Sequence, residues 1–192
     1  MASRGDQSKA SLGFLTVIQD SDYGLLGGYL ILNTAGRPEE FHCTAPVRPS
    51  RAQQILYGPT LEPYLYGEQI GRTLAARSKA QPLVLCTDRG PALAVREHVD
   101  MPVALVLPGD GEAGDGATAS CESHWRLDKA HGRQPPLVAF RLGKNQLAVP
   151  ATMSCDREAI LQRLAELAEC MDLAEPFGRI REAIEEARRG GQ

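Results

Sequence analysis

Two short apolar runs constrain the fold of this chain most, because neither alternates between polar and apolar residues. They read "PLVLCTD" (82–88) and "PVALVLP" (102–108), a pattern typical of strands that are buried on both faces of a sheet. The stretch between them, "GPALAVREHV", predicts a helix. A strand, a helix and a second strand in this order form a right-handed crossover between parallel strands. The sequence therefore predicts a sheet with two parallel central strands.

Three further strands are predicted upstream of this unit. The segments 13–20, 27–33 and 40–47 are short, rich in β-branched and aromatic residues, and separated by turn residues, as in "SDYG" and "NTAGRPE". Such short connections favour an antiparallel meander. The fold class that we predict is α/β, with a mixed five-stranded sheet of three antiparallel and two parallel strands; "PLVAFRLG" and "QLAVP" favour a late hairpin.

Helical patterns fill the rest of the chain. The region 51–79 is helical in pattern but contains Gly58, Pro59 and Pro63, which are costly inside a helix, so we expect two helices with a joint. We further expect a flexible N-terminus at 1–11, an α/β domain at 12–150 with a long Gly-, Asp- and Ser-rich loop at 109–134, and a C-terminal helical extension at 151–192.

Composition indicates an ordinary globular protein. Apolar residues make up 43% and charged residues 23%, and the net charge of −3 argues against a global basic field for nucleic-acid binding. The start of the chain lacks the apolar run of a secretory signal, and the five cysteines are scattered as expected of reduced thiols. We therefore expect a cytoplasmic protein without a membrane segment.

The predicted element order, and two local stretches, resemble the ribonuclease H-like fold over about residues 13–108. "QDSDYGLLGGYLILNTAGRPEEF" is similar to the first hairpin of that family, and "VLCTDRGPAL" is similar to its fourth strand. The resemblance implies that a strand-1 Asp, a carboxylate on the first helix and an Asp at the end of strand 4 converge on paired divalent ions. Such an ion pair activates water and stabilises the leaving oxygen in phosphodiester cleavage.

Carried over to this chain, the first family position falls on Asp20, with Asp22 as a neighbour, and the third falls on Asp88. The second falls near Gln53, an amide, so that carboxylate would have to be Glu68 or, less favourably, Glu62, with Glu40 as an alternative to Glu68. A fourth carboxylate would come from Asp156 or Glu158 on the late helix.

Each of these residues also has a structural interpretation. Asp20 fits turn chemistry, Asp88 fits a helix N-cap, and Glu68 fits an ion pair with Arg72 at i+4.

Arginines and tyrosines cluster around the predicted helices. They are Arg48, Arg51, Arg72, Tyr57, Tyr64 and Tyr66. Arginines suit phosphate contacts, and tyrosines suit a packing or binding surface. A nucleic acid or a partner protein fits this composition.

The missing helix carboxylate decides the functional expectation. A metal pair without its bridging carboxylate loses most of its effect, so we expect a non-catalytic ribonuclease H-like subunit or scaffold, with a protein partner or a second copy and no required cofactor. The alternative is a Mg- or Mn-dependent nuclease that uses Asp20, Asp88 and Glu68.

Overall fold

The structure is a computed structural model that describes residues 10–108, 136–165, 167 and 171–189. The predicted long loop at 109–134 lies outside the described residues, as do positions 1–9 of the predicted flexible N-terminus. Residue 11 already belongs to the first strand. Within these ranges, no helix is both long and apolar enough to cross a membrane.

One mixed sheet forms the centre of the described chain. Its seven strands are β1 (Ser11–Asp20), β2 (Gly24–Asn33), β3 (Pro38–Cys43), β4 (Val84–Thr87), β5 (Val103–Leu107), β6 (Leu137–Leu142) and β7 (Asn145–Pro150). The spatial order is β3-β2-β1-β4-β5-β7-β6. β1, β2 and β3 form the predicted antiparallel meander, and β4 and β5 run parallel to β1.

The mixed α/β class is confirmed, but the predicted count of five strands is wrong. The late hairpin of β6 and β7 joins the same sheet, because β7 pairs antiparallel with β5 from Leu105↔Ala148 to Leu107↔Gln146. Leu147 and Val149 are fully buried, so the hairpin enlarges the core instead of standing apart from it. The apolar residues of the hairpin predict a strand pair, but they do not indicate which sheet edge it extends.

The helical region after β3 has the predicted joint. α1 (Arg51–Tyr57) ends at Gly58, whose φ of 48° lies in the left-handed region. A 3₁₀ turn (Gly58–Thr60) leads to α2 (Leu61–Pro63), a π-helix (Tyr64–Arg72) and α3 (Thr73–Arg77).

The remaining helices follow the central strands. The segment between β4 and β5 is a 3₁₀ helix (Gly90–His98), where the sequence predicts an α-helix. A short 3₁₀ turn (Ala151–Met153) then precedes α4 (Cys155–Leu164), and α5 (Glu175–Arg189) is the last described helix.

The sheet is covered on both faces, as its unalternating central strands predict. On one face, Ile160 and Leu164 of α4 and Phe177 and Ile180 of α5 form one buried core with alternate residues of β1 that include Phe14. On the other face, the π-helix, α3 and the 3₁₀ helix 90–98 contribute their own buried side chains. Residues of β1 therefore alternate between the two cores, which fixes the face on which each polar side chain emerges.

The π-helix and the 3₁₀ helix 90–98 approach closely at Gly67. A Cβ atom on this glycine would lie 2.6 Å from Cβ of Ala94 and 2.7 Å from the backbone nitrogen of Val95. Only glycine allows that separation without moving one backbone.

An ion pair between the half-buried Arg96 and the buried Asp156 joins the 3₁₀ helix 90–98 to α4. Arg96 donates two hydrogen bonds to Asp156, at 2.6 Å from Nε and 3.0 Å from Nη2, and a third to the carbonyl of Val99 at 3.0 Å. The Asp156 side chain is only 4% exposed. Asp156 is thus a structural carboxylate that links α4 to the 3₁₀ helix 90–98.

Candidate functional site

Asp88 lies where β4 ends, beside the middle of β1. Leu15 pairs with Thr87 in the parallel ladder, so the next residues along, Thr16 and Asp88, are neighbours. The Thr16 hydroxyl donates a hydrogen bond of 2.6 Å to Oδ1 of Asp88. Thr16 is completely buried, and it is the single polar side chain within an otherwise apolar stretch of β1. A hydroxyl group, not a carboxylate, therefore faces Asp88 from the first strand.

Two arginines complete the surroundings of Asp88. Arg181 of α5 donates from Nη2 to Oδ2 of Asp88, and Nε of Arg89 lies 4.0 Å from Oδ1. The Asp88 side chain is 15% exposed, against 41% for Arg181 and 44% for Arg89. Asp88 does not cap the following 3₁₀ helix, whose N-cap residue is Arg89. Both carboxylate oxygens of Asp88 are thus bound by donors from β1 and α5.

Asp20 has the turn role that its sequence context indicates. Its Oδ1 accepts hydrogen bonds of 2.9 Å from the backbone N–H groups of Asp22 and Tyr23, and these two bonds, that of Tyr23 first, lower the pKa of the Asp20 carboxyl group. Oδ2 accepts from Arg188 of α5 at 2.8 Å. Asp20 follows Thr16 by four residues, or about 13 Å along an extended strand, and is therefore not beside Asp88.

The candidate helix carboxylate does not join either aspartate. Glu68 lies 3.9 Å from Arg72, its i+4 neighbour, and both side chains are about half exposed. Gln53, at the position where the carboxylate is expected, forms a capping box with Ser50 at the start of α1. Glu68 thus has the ion-pair role that its sequence position indicates, and Gln53 has a local role at the start of α1.

The weaker carboxylate candidates are also distributed over the molecule. Glu62 lines a cleft of about 210 Å³ together with Asp20 and Tyr66. Glu158 lies in the first turn of α4, the helix that Asp156 ties to Arg96.

Glu40 fastens β3 to the loop after α3. It accepts hydrogen bonds from His42 and Ser78 and from the backbone N–H groups of Lys79 and Ala80. These bonds, that of His42 first, lower the pKa of Glu40 to about 2.

The predicted tyrosine cluster divides into two environments. Tyr57 and Tyr64 stack with ring centroids 4.2 Å apart, and both are half-buried. Tyr66 is only 9% exposed and packs in the core, where burial raises the pKa of its hydroxyl group. Of the two roles that the sequence leaves open for these tyrosines, packing or binding, Tyr66 thus has the packing role, because the π-helix turns this side chain toward the sheet.

The predicted arginines lie on separate exposed surfaces. Arg48 donates to the carbonyl of Tyr23 at 3.0 Å, next to the turn that holds Asp20. Arg51 is exposed at the start of α1, and Arg72 lines a groove with Glu68 and Arg77.

Asp20, Asp88 and Glu68 line three different clefts. The Asp88 cleft has a volume of about 280 Å³ and is lined by Asp88, Arg89, Val106, Leu107, Pro108, Ala174, Phe177 and Arg181. In the part of the chain that the structure describes, no group of three or more His, Cys, Asp or Glu residues could hold a metal ion. A divalent ion needs several oxygen ligands at about 2.0–2.6 Å, so the described residues do not fit the paired-metal centre that the resemblance implies.

Sequence reasoning missed the residues that bind the two aspartates. Thr16 is visible in the sequence as a lone polar residue in "GFLTVI", but its role depends on the register between β1 and β4. Arg181 and Arg188 are seven positions apart in the last helix; Arg181 follows the buried Ile180, and Arg188 lies one turn after the buried Ile184. That spacing puts both guanidinium groups on one side of α5, and the docking of α5 on the sheet brings them to Asp88 and Asp20.

Together, the fold and the site define a mixed α/β protein with a charge-paired aspartate at the end of its central parallel strand. No protein-family model matches the chain, and no curated protein matches it significantly. Solved structures with some similarity include a variant of Ciona intestinalis endonuclease V in complex with a 23mer DNA that contains an inosine followed by a ribo-adenosine. That structure has 12% identity and a TM-score of 0.45, over 92% of this chain and 86% of the other.

Human ENDOV is similar at 13% identity and a TM-score of 0.43, over 95% of this chain and 89% of the other. Identities and TM-scores this low do not bear on the reaction, so function has to be inferred from the site itself.

Proposed function

We propose that this protein is a non-catalytic member of the ribonuclease H-like fold that binds nucleic acid at the Asp88 cleft, as a subunit of a larger assembly. The observation that carries the proposal is the arrangement Thr16–Asp88–Arg181. The Thr16 hydroxyl group donates a hydrogen bond to one carboxylate oxygen of Asp88, and the Arg181 guanidinium group donates to the other.

The fold part of the proposal is supported by the order of the first five strands. β3-β2-β1-β4-β5, with β2 antiparallel to its neighbours and β4 and β5 parallel to β1, has the connectivity on which the sequence resemblance is based. The additional β7-β6 hairpin and the last two helices extend this unit.

The absence of catalysis is supported by the chemistry around Asp88. The resemblance implies that a strand-1 aspartate meets the strand-4 aspartate, but Asp20, onto which that position falls, lies four residues further along β1, and Thr16 faces Asp88 instead. A neutral hydroxyl group adds no negative charge to attract a cation, and the Arg181 guanidinium group neutralises the one carboxylate that remains. A divalent ion at Asp88 would have to displace both donors and would find one carboxylate where two or three are needed.

Nucleic-acid binding is supported by the lining of the Asp88 cleft. Arg181 gives a single nitrogen, Nη2, to Asp88, and Arg89 is no closer than 4.0 Å to that carboxylate. Both arginine side chains are about two-fifths exposed, and their guanidinium groups keep donors that can bind phosphate oxygens. Leu107 and Phe177 also line this cleft but are buried, at 5% and 2% exposure, so the contacts to nucleic acid would come from the two arginines.

A metal-dependent nuclease is the second candidate, and one observation favours it. Asp20 and Glu62 line a common cleft at the carboxyl end of β1, and Asp88 ends the neighbouring strand. Mg or Mn would then be recruited with the nucleic acid, whose phosphates would supply the remaining oxygen ligands.

Fluorescence anisotropy with a labelled single-stranded oligonucleotide tests the binding site. Arg89→Ala should weaken binding about tenfold and reduce the slope of log K against log salt by about one, because one phosphate contact is lost.

Arg72→Ala is the matched control for this assay. Arg72 is also exposed, and it has a similarly loose ion pair of 3.9 Å with Glu68. Equal losses in the two variants, or no binding by the natural protein, would contradict the proposed site.

A further inference from the structure

An apolar projection and an apolar pocket lie next to each other on this chain. The projection is α1, in which no residue is buried and whose Ile55 and Leu56 are 69% and 81% exposed. Exposed large aliphatic side chains on an ordered, capped helix are a cost in water unless a partner covers them. The Ser50–Gln53 capping box fixes the start of this helix, so the projection is preformed.

The pocket begins where α1 ends. It has a volume of about 270 Å³, and its lining is rich in proline and aliphatic side chains, among them Pro59, Pro63, Pro91, Leu137, Pro150 and Met153. This volume is below the usual range for small-molecule sites and suits an inserted side chain. Proline rings and neighbouring backbone make the walls rigid, so little conformational entropy is lost on binding.

Charge is also complementary between the projection and the pocket. Arg51 is exposed one helical turn before Ile55, and α1 has no acidic residue in its first turn. Glu97 is exposed at the pocket. Among the described residues, neither Arg51 nor Glu97 has an ion-pair partner. A copy of α1 that entered the pocket would bring a cation to an unpaired anion.

We propose that two copies of this chain form a two-fold symmetric dimer in which Ile55 and Leu56 of each copy enter the proline-lined pocket of the other. The projection cannot fill the pocket of its own chain, because only Tyr57 and Gly58 separate Leu56 from Pro59 on the pocket wall. Because projection and pocket adjoin, a single two-fold axis between them makes both contacts at once and closes the assembly. Each Arg51 then faces Glu97 of the second copy.

Sedimentation velocity on the full chain, over about 1 to 100 μM, tests this dimer. The natural protein should show a concentration-dependent monomer–dimer equilibrium. Leu56→Glu should weaken the dimer at least tenfold while its circular dichroism and melting temperature stay the same, because the side chain contributes little to the core. Phe41→Glu, which puts the same charge on a different exposed apolar residue, should leave the dimer intact.

A charge exchange tests the geometry independently of the apolar contact. Arg51→Glu alone and Glu97→Arg alone should each weaken the dimer, and the double variant should recover it. Monomer at every concentration would overturn the proposal, as would a dimer that Leu56→Glu leaves unchanged. An open series of larger oligomers would overturn the two-fold arrangement. If the double variant dimerises no more tightly than the single variants, the pairing of Arg51 with Glu97 is overturned.

Discussion

The ion pair between Arg96 and Asp156 gives the sharpest stability prediction. Arg96→Met removes a bidentate partner from a carboxylate that is 4% exposed. The remaining hydrogen bonds to Asp156 are both long: the backbone N–H group of Val103 donates at 3.5 Å and the Cys155 thiol at 4.0 Å. Loss of one member of a buried pair costs about 3–5 kcal/mol, because the other charge stays buried without compensation. For a chain of this size, that free energy corresponds to a fall in melting temperature of roughly 6–20 °C.

Urea denaturation followed by circular dichroism measures this loss. The double variant Arg96→Met/Asp156→Leu should recover most of it, since no charge is then left buried. Arg189→Met is the exposed control: its side chain is 74% exposed and lies 4.0 Å from Glu185, so its loss should stay below about 1 kcal/mol. A loss of that small size in Arg96→Met would refute the reasoning from burial.

Three further predictions concern single positions. Glu40→Gln should lower the free energy of unfolding by about 1–2 kcal/mol at neutral pH. The pKa of Glu40 is about 2 in the folded state against an ordinary 4.5, so the difference from the natural protein in urea denaturation should vanish as the pH falls through that interval. A difference that stays constant with pH would contradict this prediction. Gly67→Ala should destabilise by about 1–3 kcal/mol through backbone overlap, whereas Gly178→Ala, where a Cβ meets nothing within 4 Å, should be neutral or slightly stabilising in thermal melts. Thr16→Val should lower the free energy of unfolding by about 1 kcal/mol, because Asp88 loses one hydrogen bond and keeps its bond to Arg181. A melting curve identical to that of the natural protein would argue against the Thr16–Asp88 hydrogen bond.

The strands were predictable because their signal is local. The apolar runs of β4 and β5 and the turn residues around β1 and β2 indicate strand type and direction, but β2 begins at Gly24 instead of 27 and β3 ends at Cys43 instead of 47. The strand count was not predictable in the same way, because nothing within 137–150 indicates that β7 pairs with β5. The nine-residue π-helix also has no local signature, and it decides that Tyr66 points into the core.

The candidate site was predictable only one residue at a time. Asp88 at the end of β4 and Asp20 in the hairpin turn could both be placed from local sequence. Their separation could not, because it depends on the register that pairs Leu15 with Thr87 across 72 positions of chain. The contacts of Arg181 and Arg188 depend on how α5 docks on the sheet, which involves residues some 90 to 170 positions apart. Long-range register and docking therefore decided what the aspartates can do.

The most direct test of the central claim is a cleavage assay with labelled single-stranded DNA and RNA, in the presence of Mg or Mn. The natural protein should bind the oligonucleotide and leave it intact with either metal, and Asp88→Asn should leave it equally intact. Metal-dependent cleavage that disappears in Asp88→Asn would contradict the account, because it would show that Asp88 holds a catalytic ion despite its bonds to Thr16 and Arg181.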